Sequence, residues 1–322
     1  MPVTTNAISR TPAQRLKRMG LTTLVTAGLI AAFGSLSPSA HAAGKDAVIE
    51  AIQLPAWVER NGQRMAAQPG ELLMANDKAV TAEASRMLLR LPDRSVIKLG
   101  EKTEFRIETL ITKQNGVAGP SHTQSALRLI TGIFRYATDY TSKALGNTRD
   151  ISLQIATATV GIRGTDFWSM TDANHDAVCL FEGKVAVERA SRDDIVLDKP
   201  GAFWVLRNTQ PEQAAGQATP DELKKFIAQA ELQPGNGVLL EGGRWRTVAG
   251  LLPSGKDAAS LKARLQTAGY PAEIRNKQGR FEVRINEFAT EGDAQVVLDR
   301  LMADASLGVN RASGGRVALA IE

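Results

Sequence analysis

The chain has 322 residues, a formal net charge of +5, 43% hydrophobic and only 5% aromatic residues, one cysteine and three histidines. A single cysteine excludes an internal disulfide framework and a thiolate-rich zinc site, because both need clustered sulfur atoms. At roughly 150 residues per domain, this length predicts about two domains. The sequence contains no Ser-His-Asp order, HExxH motif or phosphate-binding loop, so we predict a non-enzymatic protein with no catalytic residue, cofactor or metal site.

The first 42 residues have the pattern of a secretory signal peptide. An apolar run over residues 21–33 leads to an A-x-A cleavage sequence ending at Ala42, and four basic residues precede it: Arg10, Arg15, Lys17 and Arg18. We predict cleavage after Ala42 and a periplasmic protein that meets the membrane only during export; an uncleaved anchor is the alternative. These 42 residues hold four of the 39 basic and none of the 34 acidic residues, so the remainder is nearly neutral. That balance argues against a nucleic-acid partner.

Residues 43–207 show the pattern of an all-β domain. Short β-prone stretches, such as residues 95–99 and 152–155, recur about every ten residues. Turn sequences such as Asn61-Gly62 and Pro69-Gly70 separate them. The pattern predicts a β sandwich, a roll or a short solenoid.

Residues 208–237 have the composition of a polar linker that contains one helix. Thr219 is placed to cap this helix, Pro220 to occupy its first position, and Glu222 to complete a capping box. Pro234-Gly235 ends it. The helix has one apolar face, which we expect to pack on a neighbouring domain: Leu223, Phe226, Ile227 and Ala230.

Residues 238–322 contain an internal duplication. Residues 36 positions apart match in type, for example Trp245 with Phe281 and Leu261 with Val297. Each copy has the pattern of a strand, a helix and a second strand, and the two helices are predicted over about residues 256–268 and 291–304. Two such units predict an α+β domain in which a four-stranded sheet carries both helices on one face.

Strand alternation assigns the two faces of this sheet. Thr247, Val283 and Ile285 are expected to face the helices, and the opposite, open face receives Arg246, Val248, Glu273, Arg275, Glu282 and Arg284. Arg246 and Arg284, with Tyr270 nearby, are candidates to bind a polar or anionic ligand through charge-assisted hydrogen bonds. The alternative is a solvated face on which Arg246 and Glu282 form a cross-strand pair.

The C-terminal part, over roughly residues 240–322, resembles the SPOR domain. The resemblance rests on residues 245–250 and 265–270, and on residues 281–285 followed by Phe288. It implies a periplasmic module that binds peptidoglycan, particularly glycan strands stripped of their stem peptides. Members of the family commonly have glutamine where Val248 stands and arginine at Glu282.

The β region resembles the periplasmic domain of the FecR family. Its most specific stretches are residues 157–167 and 178–187, with weaker similarity at residues 91–100. Founding members of that family relay a transport signal to a cytoplasmic segment. This chain has the predicted signal peptide where that segment would lie, so the resemblance implies an exported β domain of binding type.

Three local features have both a functional and a structural interpretation. Arg163-Gly164-Thr165-Asp166 is either a contact loop or a turn whose charged residues bond local backbone groups. Residues 172–176 have the oxygen spacing of a calcium loop, but Ala177 replaces the required glycine, so we predict a hairpin tip. Cys179 lies in an apolar stretch and is predicted to be a buried, inert thiol.

Together these patterns predict a periplasmic binding protein in which the C-terminal domain binds peptidoglycan glycan strands. In that hypothesis the C-terminal domain localises the β domain, which engages another envelope protein. The alternative is a signalling or protein-interaction adaptor that no longer binds glycan because of Val248 and Glu282.

Overall fold

The computed structural model describes residues 46–114, 119–139, 146–162, 164–190 and 192–320. The predicted signal peptide and Arg163 lie outside these residues. Among the helices of the described ranges, none is both long enough and apolar enough to span a membrane.

The described part of residues 46–217 forms seventeen strands, as the β-prone pattern predicts. They are β1 (Ala47–Gln53), β2 (Ala56–Arg60), β3 (Gln63–Ala66), β4 (Leu72–Leu73), β5 (Lys78–Thr81), β6 (Arg86–Arg90), β7 (Val96–Leu99), β8 (Glu104–Gln114), β9 (Ser121–Ala137), β10 (Thr148–Gln154), β11 (Ala158–Ile162), β12 (Asp166–Thr171), β13 (His175–Glu182), β14 (Val185–Arg189), β15 (Ile195–Leu197), β16 (Ala202–Arg207) and β17 (Gly216–Gln217).

These strands form two sheets that share the long strand β9. One sheet has the order β4-β1-β6-β7-β9-β12-β13-β16-β17 and uses the C-terminal half of β9. The other has the order β3-β2-β5-β8-β9-β10-β11-β14-β15 and uses its N-terminal half. Gly132, with φ +98°, lies where β9 passes from one sheet to the other, and a Cβ there would stand 2.4 Å from the Cα of Thr103.

The two sheets pack face to face around one apolar core. Phe105 of one sheet stacks on Phe134 of the other, with ring centroids 5.5 Å apart, and Phe134 also contacts Phe167 at 5.8 Å. These rings are fully buried. Of the three architectures left open by the strand pattern, the structure is a β sandwich.

The C-terminal half has the predicted α+β architecture. It contains β18 (Val238–Leu240), β19 (Trp245–Leu252), α2 (Gly255–Thr267), β20 (Glu273–Lys277), β21 (Arg280–Phe288), α3 (Glu291–Ala303), a 3-10 turn (Ala305–Leu307) and β22 (Arg316–Leu319), and it follows α1 (Pro220–Ala230). The main sheet is antiparallel with the order β22-β19-β21-β20. Apolar residues of α2 and α3 cover one face: Ala258, Leu261, Leu265, Ala294, Val297, Leu298 and Leu301.

The predicted capping box of α1 is confirmed, and the helix packs on the β sandwich. The Thr219 side chain accepts from the backbone N–H of Glu222, whose carboxylate accepts from the N–H of Thr219. Phe226 is stacked between Trp168 and Phe203, with ring centroids 4.3 and 5.6 Å away. The aromatic contact explains how a helix of only eleven residues is held in place.

Backbone pairing joins the two halves directly. Strand β18 pairs antiparallel with β1 through residues 51–53 and touches β21 at Leu239 and Phe288, so one hydrogen-bonded sheet continues from the sandwich into the C-terminal half. The backbone N–H groups of Leu54 and Ala56 donate to the carbonyls of Gly237 and Gly269. Residues 42–322 accordingly cluster as one compact unit.

Candidate functional site

The described part of the predicted loop, residues 164–166, is tied into the sandwich rather than projecting from it. Gly164 has φ +66°, Thr165 is buried, and the N–H of Thr165 donates to the Thr138 hydroxyl at 3.0 Å. Asp166 accepts two hydrogen bonds from the Arg135 guanidinium, at 2.9 and 2.6 Å. Asp166 thus bonds a side chain of β9 instead of the local backbone groups expected for a simple turn.

Arg135 links this loop to the end of α1. Its guanidinium also contacts the Glu231 carboxylate at 2.6 Å, and Lys98 reaches the same carboxylate at 2.5 Å. Burial lowers the pKa of Arg135, but the Asp166 and Glu231 carboxylates outweigh that effect and raise it. Glu231 is the C-terminal cap residue of α1, so these contacts fix both the loop and the helix.

The two remaining local features have structural roles. Residues 172–176 form the tip between β12 and β13, where Asp172 accepts from the N–H groups of Asn174 and His175 at 2.7 and 3.0 Å. Cys179 is fully buried, and burial, with the nearby Glu222 charge, raises the pKa of its thiol to about 12. A thiol with that pKa is protonated at neutral pH and therefore unreactive.

The face of the C-terminal sheet opposite the helices carries a line of ion pairs. Arg316 contacts Glu282 at 2.8 Å, Glu282 lies 3.7 Å from Arg284, and Arg284 donates to Glu273 at 2.8 Å. Burial raises the pKa of Glu273, but hydrogen bonds from Arg284 and Asn286 outweigh it and hold that pKa below its usual value. Arg275, on the edge strand β20, lies 3.8 Å from the same carboxylate.

This arrangement corrects three sequence-based expectations. Glu282 pairs with Arg316 and Arg284, not with Arg246 as the cross-strand alternative proposed, and only 1% of Glu282 is exposed. Val248 lies in register between Arg284 and Arg316 and is fully buried, so it is not an open-face contact. Tyr270 belongs to the apolar core, on the side of the helices. Burial raises the pKa of its hydroxyl, which is also lowered by the charge of Arg300 and raised by that of Asp304.

The hydrogen-bond register of β19 also departs from simple strand alternation. A bulge at residues 248–250 makes Gly250, rather than Ala249, the partner of Val283. Gly250 faces the helices, since a Cβ there would lie 3.1 Å from a methyl group of Leu261. Thr247 faces them as predicted, because its hydroxyl donates to the carbonyl of Ala294 at 2.7 Å.

One end of the same face opens into a large cleft, which we name the junction cleft. It has a volume of about 1140 Å³ and is lined by residues of both halves. The charged lining residues are Arg60, Arg64 and Glu71 from the sandwich, and Arg246, Lys262, Glu273, Arg284 and Glu287 from the C-terminal half. Such a volume exceeds that of most small-molecule sites and suits a segment of an extended ligand.

Arg246 is the most unusual group in this cleft. It is only 9% exposed, yet no hydrogen bond or ion pair connects its guanidinium to any residue in the described part of the chain, and its Nε is among the buried polar atoms without a partner. A buried guanidinium without a counter-charge is costly unless a ligand supplies one. Sequence alternation placed Arg246 on this face but gave no sign that it would lack a partner.

Glu287 also lines the cleft and has a strained backbone. Its φ is +65°, in the left-handed region that non-glycine residues rarely adopt. Burial first, and then repulsion by Glu241 and Glu273, raises the pKa of the Glu287 carboxyl, although the Gly242 N–H opposes this. The carboxyl therefore takes up a proton more readily than an ordinary glutamate as the pH falls.

Two family models match the chain, in the order expected from the sequence. The FecR protein model matches residues 77–186 and the SPOR domain model matches residues 241–309. Both families are non-catalytic and typical of envelope proteins; SPOR domains bind peptidoglycan, and FecR proteins act in envelope signalling.

Among solved structures, the chain is similar to two crystal structures described as a candidate anti-sigma factor from Parabacteroides distasonis ATCC 8503. One, at 1.65 Å resolution, has a TM-score of 0.35 and 14% identity, with 64% of this chain and 97% of that chain covered. The other, at 2.50 Å, has a TM-score of 0.36 and 15% identity over 75% and 97%. At these TM-scores the likeness carries no argument about function. No curated protein matches the chain.

Proposed function

We propose that this chain, which carries a FecR domain followed by a SPOR domain, is an exported, non-enzymatic binding protein of the periplasm. In this proposal the SPOR domain binds peptidoglycan glycan strands and thereby localises the β sandwich, which engages another envelope component. The observation that supports glycan binding is Arg246, which is nine-tenths buried in a cleft of about 1140 Å³ and has no hydrogen-bond or ion-pair partner among the residues that the structure describes. Glycan strands stripped of stem peptides carry muramyl carboxylates, which are suitable counter-charges for a guanidinium.

The test is co-sedimentation of residues 43–322 with purified sacculi, with and without amidase treatment to remove stem peptides. The whole of this region is used because β18 pairs with β1, and a C-terminal fragment would lose that pairing. We expect more protein in the pellet with amidase-treated sacculi. Absence of pelleting with both preparations would overturn glycan binding.

Arg246→Met is expected to weaken binding to amidase-treated sacculi by about tenfold or more, because a charge-assisted hydrogen bond contributes about 1.5 to 3 kcal/mol. The same variant is expected to keep or raise the melting temperature, since it removes a buried charge that has no partner. Sedimentation isotherms and thermal unfolding measure the two effects. Arg311→Ala, on an exposed loop outside the cleft, is the control and should change neither. Loss of stability together with binding would instead indicate a structural role for Arg246.

Glu287→Gln is expected to strengthen binding at pH 7.5 and to reduce its dependence on pH. The Glu287 carboxylate lines the cleft and repels an anionic ligand; because its pKa is raised, this repulsion is relieved as the pH falls toward that pKa. The wild-type protein should therefore bind more tightly at pH 5.5 than at pH 7.5. Isotherms at both pH values check this, and an equal pH response in the variant would contradict the role assigned to Glu287.

The second candidate function is a signalling or protein-interaction adaptor that does not bind glycan. Its support is the line of ion pairs from Arg316 through Glu282 and Arg284 to Glu273, which occupies much of the sheet face. The sedimentation experiment separates the two functions. If neither sacculus preparation retains the protein, partners should be sought among envelope proteins.

A further inference from the structure

The junction cleft has one wall from each half of the chain. The hairpin of β2 and β3 supplies Arg60, Arg64 and Met65, and the C-terminal half supplies Arg246, Lys262 and Gln266. This hairpin belongs to the sandwich and precedes the matched FecR region, which begins at residue 77.

The hairpin is held firmly against the C-terminal half. The Trp57 indole N–H donates to the carbonyl of Thr267 at 3.1 Å, and the Arg64 guanidinium lies 4.3 Å from the centre of the Trp57 ring. Gly269 packs on the same indole so closely that a Cβ would stand 2.7 Å from two ring carbons. The cleft wall formed by the hairpin is therefore preorganised, and binding a ligand there costs little ordering.

The charges in the cleft are not equally satisfied. Arg60 is committed to Asp77 through hydrogen bonds of 2.6 to 3.1 Å, and Arg284 to Glu273. Arg64 is half exposed and lies 3.4 Å from Glu59. In the ranges that the structure describes, neither Arg246 nor Lys262 forms an ion pair or a side-chain hydrogen bond. Five cations and three carboxylates line the cleft, and within the described ranges the two cations without an ion pair both lie on the C-terminal wall. On the hairpin wall, Arg64 is paired with Glu59 but is half exposed, so a ligand can still reach its guanidinium.

We infer that the β2–β3 hairpin is part of the glycan site, so that a strand held at Arg246 also contacts Arg64 and Lys262 and bridges both halves. The inference rests on the proposed function. The ligand class it names is a glycan chain with free carboxylates on successive muramyl units. Arg246, Lys262 and the half-exposed Arg64 are spread over both walls of the cleft, and successive anionic groups along one chain can reach cations that are spread in this way. A polymer of N-acetylglucosamine alone lacks these groups.

The first experiment compares the double variant Arg64→Ala/Lys262→Ala with wild type, using residues 43–322 and amidase-treated sacculi. Both side chains are partly exposed, so the variant is expected to fold, and circular dichroism with thermal unfolding verifies that it does. We expect binding about tenfold weaker, because two partly exposed charged contacts are lost and each contributes about threefold, less than a buried contact does. The matched control is Arg192→Ala/Lys224→Ala, which removes one exposed arginine and one exposed lysine that form ion pairs outside the cleft. This control should bind like wild type.

The second experiment is competition by soluble oligosaccharides. Amidase-generated muramyl glycan strands should release wild-type protein from sacculi, and chitin oligosaccharides of equal length should not. Release by both sugars alike would overturn the carboxylate requirement.

These outcomes separate the inference from the proposed function. If wild-type protein does not pellet, the proposed function fails. The proposed function stands if wild-type protein pellets and Arg246→Met weakens its binding to sacculi. If Arg64→Ala/Lys262→Ala then binds like wild type, the contribution of the hairpin is overturned.

Discussion

Asp293→Ala is expected to lower the free energy of unfolding by about 3 to 5 kcal/mol. The Asp293 side chain is fully buried at the start of α3, and one of its carboxylate oxygens accepts from the backbone N–H groups of Gly235, Gly237 and Val238 at 2.8 to 2.9 Å. The other oxygen accepts from the Thr290 hydroxyl at 2.6 Å. Removing the carboxylate leaves the three backbone N–H donors without an acceptor, two of them in buried hydrogen bonds, at the point where the chain enters β18.

The internal duplication supplies a matched control for this prediction. Asp257 occupies the equivalent position in α2, three residues after the capping residue Ser254, but it is exposed, and its carboxylate accepts no hydrogen bond within the described ranges. Asp257→Ala should cost only about 0.3 to 1 kcal/mol, the interaction of an acidic group with the helix N-terminus. Urea denaturation of both variants measures the difference. Similar losses at the two positions would refute the clamp assigned to Asp293.

Gly269→Ala is expected to destabilise the protein by about 3 kcal/mol. Gly269 ends α2 with φ +85°, which disfavours any side chain. An added Cβ would also stand 2.7 Å from two carbons of the Trp57 ring and 3.0 Å from the Pro55 side chain. The Trp57 ring is held by its hydrogen bond to Thr267, so relief of the clash requires the two halves to separate slightly.

Gly279→Ala isolates the backbone part of that cost. Gly279 has nearly the same φ, +82°, but nothing lies within 4 Å of a Cβ at this turn. We expect about 1 kcal/mol of destabilisation here. Equal effects of the two substitutions in equilibrium unfolding would mean that the packing of Trp57 on Gly269 contributes nothing.

Local and periodic features of the fold were predictable from the sequence. The 36-residue duplication correctly predicted a four-stranded sheet with two helices on one face. It could do so because apolar residues that recur at the same positions in both copies mark the buried side of each strand and helix. The Asn61-Gly62 turn and the capping box at Thr219 were predictable because their signals lie within four residues. The order of FecR and SPOR regions was likewise visible in their motifs.

Long-range features were not predictable. Alternation gave the side of the sheet on which Val248 and Glu282 lie, but it contains no information about which distant groups bury them. One partner of Glu282, Arg316, lies on β22, 34 positions away in the chain. The second wall of the junction cleft comes from residues nearly two hundred positions earlier in the chain. The polar composition of the segment before β18 predicted a linker. Composition contains no sign that backbone N–H groups of this segment donate to the Asp293 carboxylate.

The pairing of β1 with β18 also sets an order of events during synthesis. Ribosomes synthesise β1 early, and its partner residues, about 190 positions later, emerge only when about three quarters of the chain has been made. Until then, the edge from Ala51 to Gln53 carries unpaired N–H and C=O groups, and an unpaired strand edge is a template for association with other chains. A stalled or truncated product that ends before residue 238 would therefore be prone to associate with other chains through this edge.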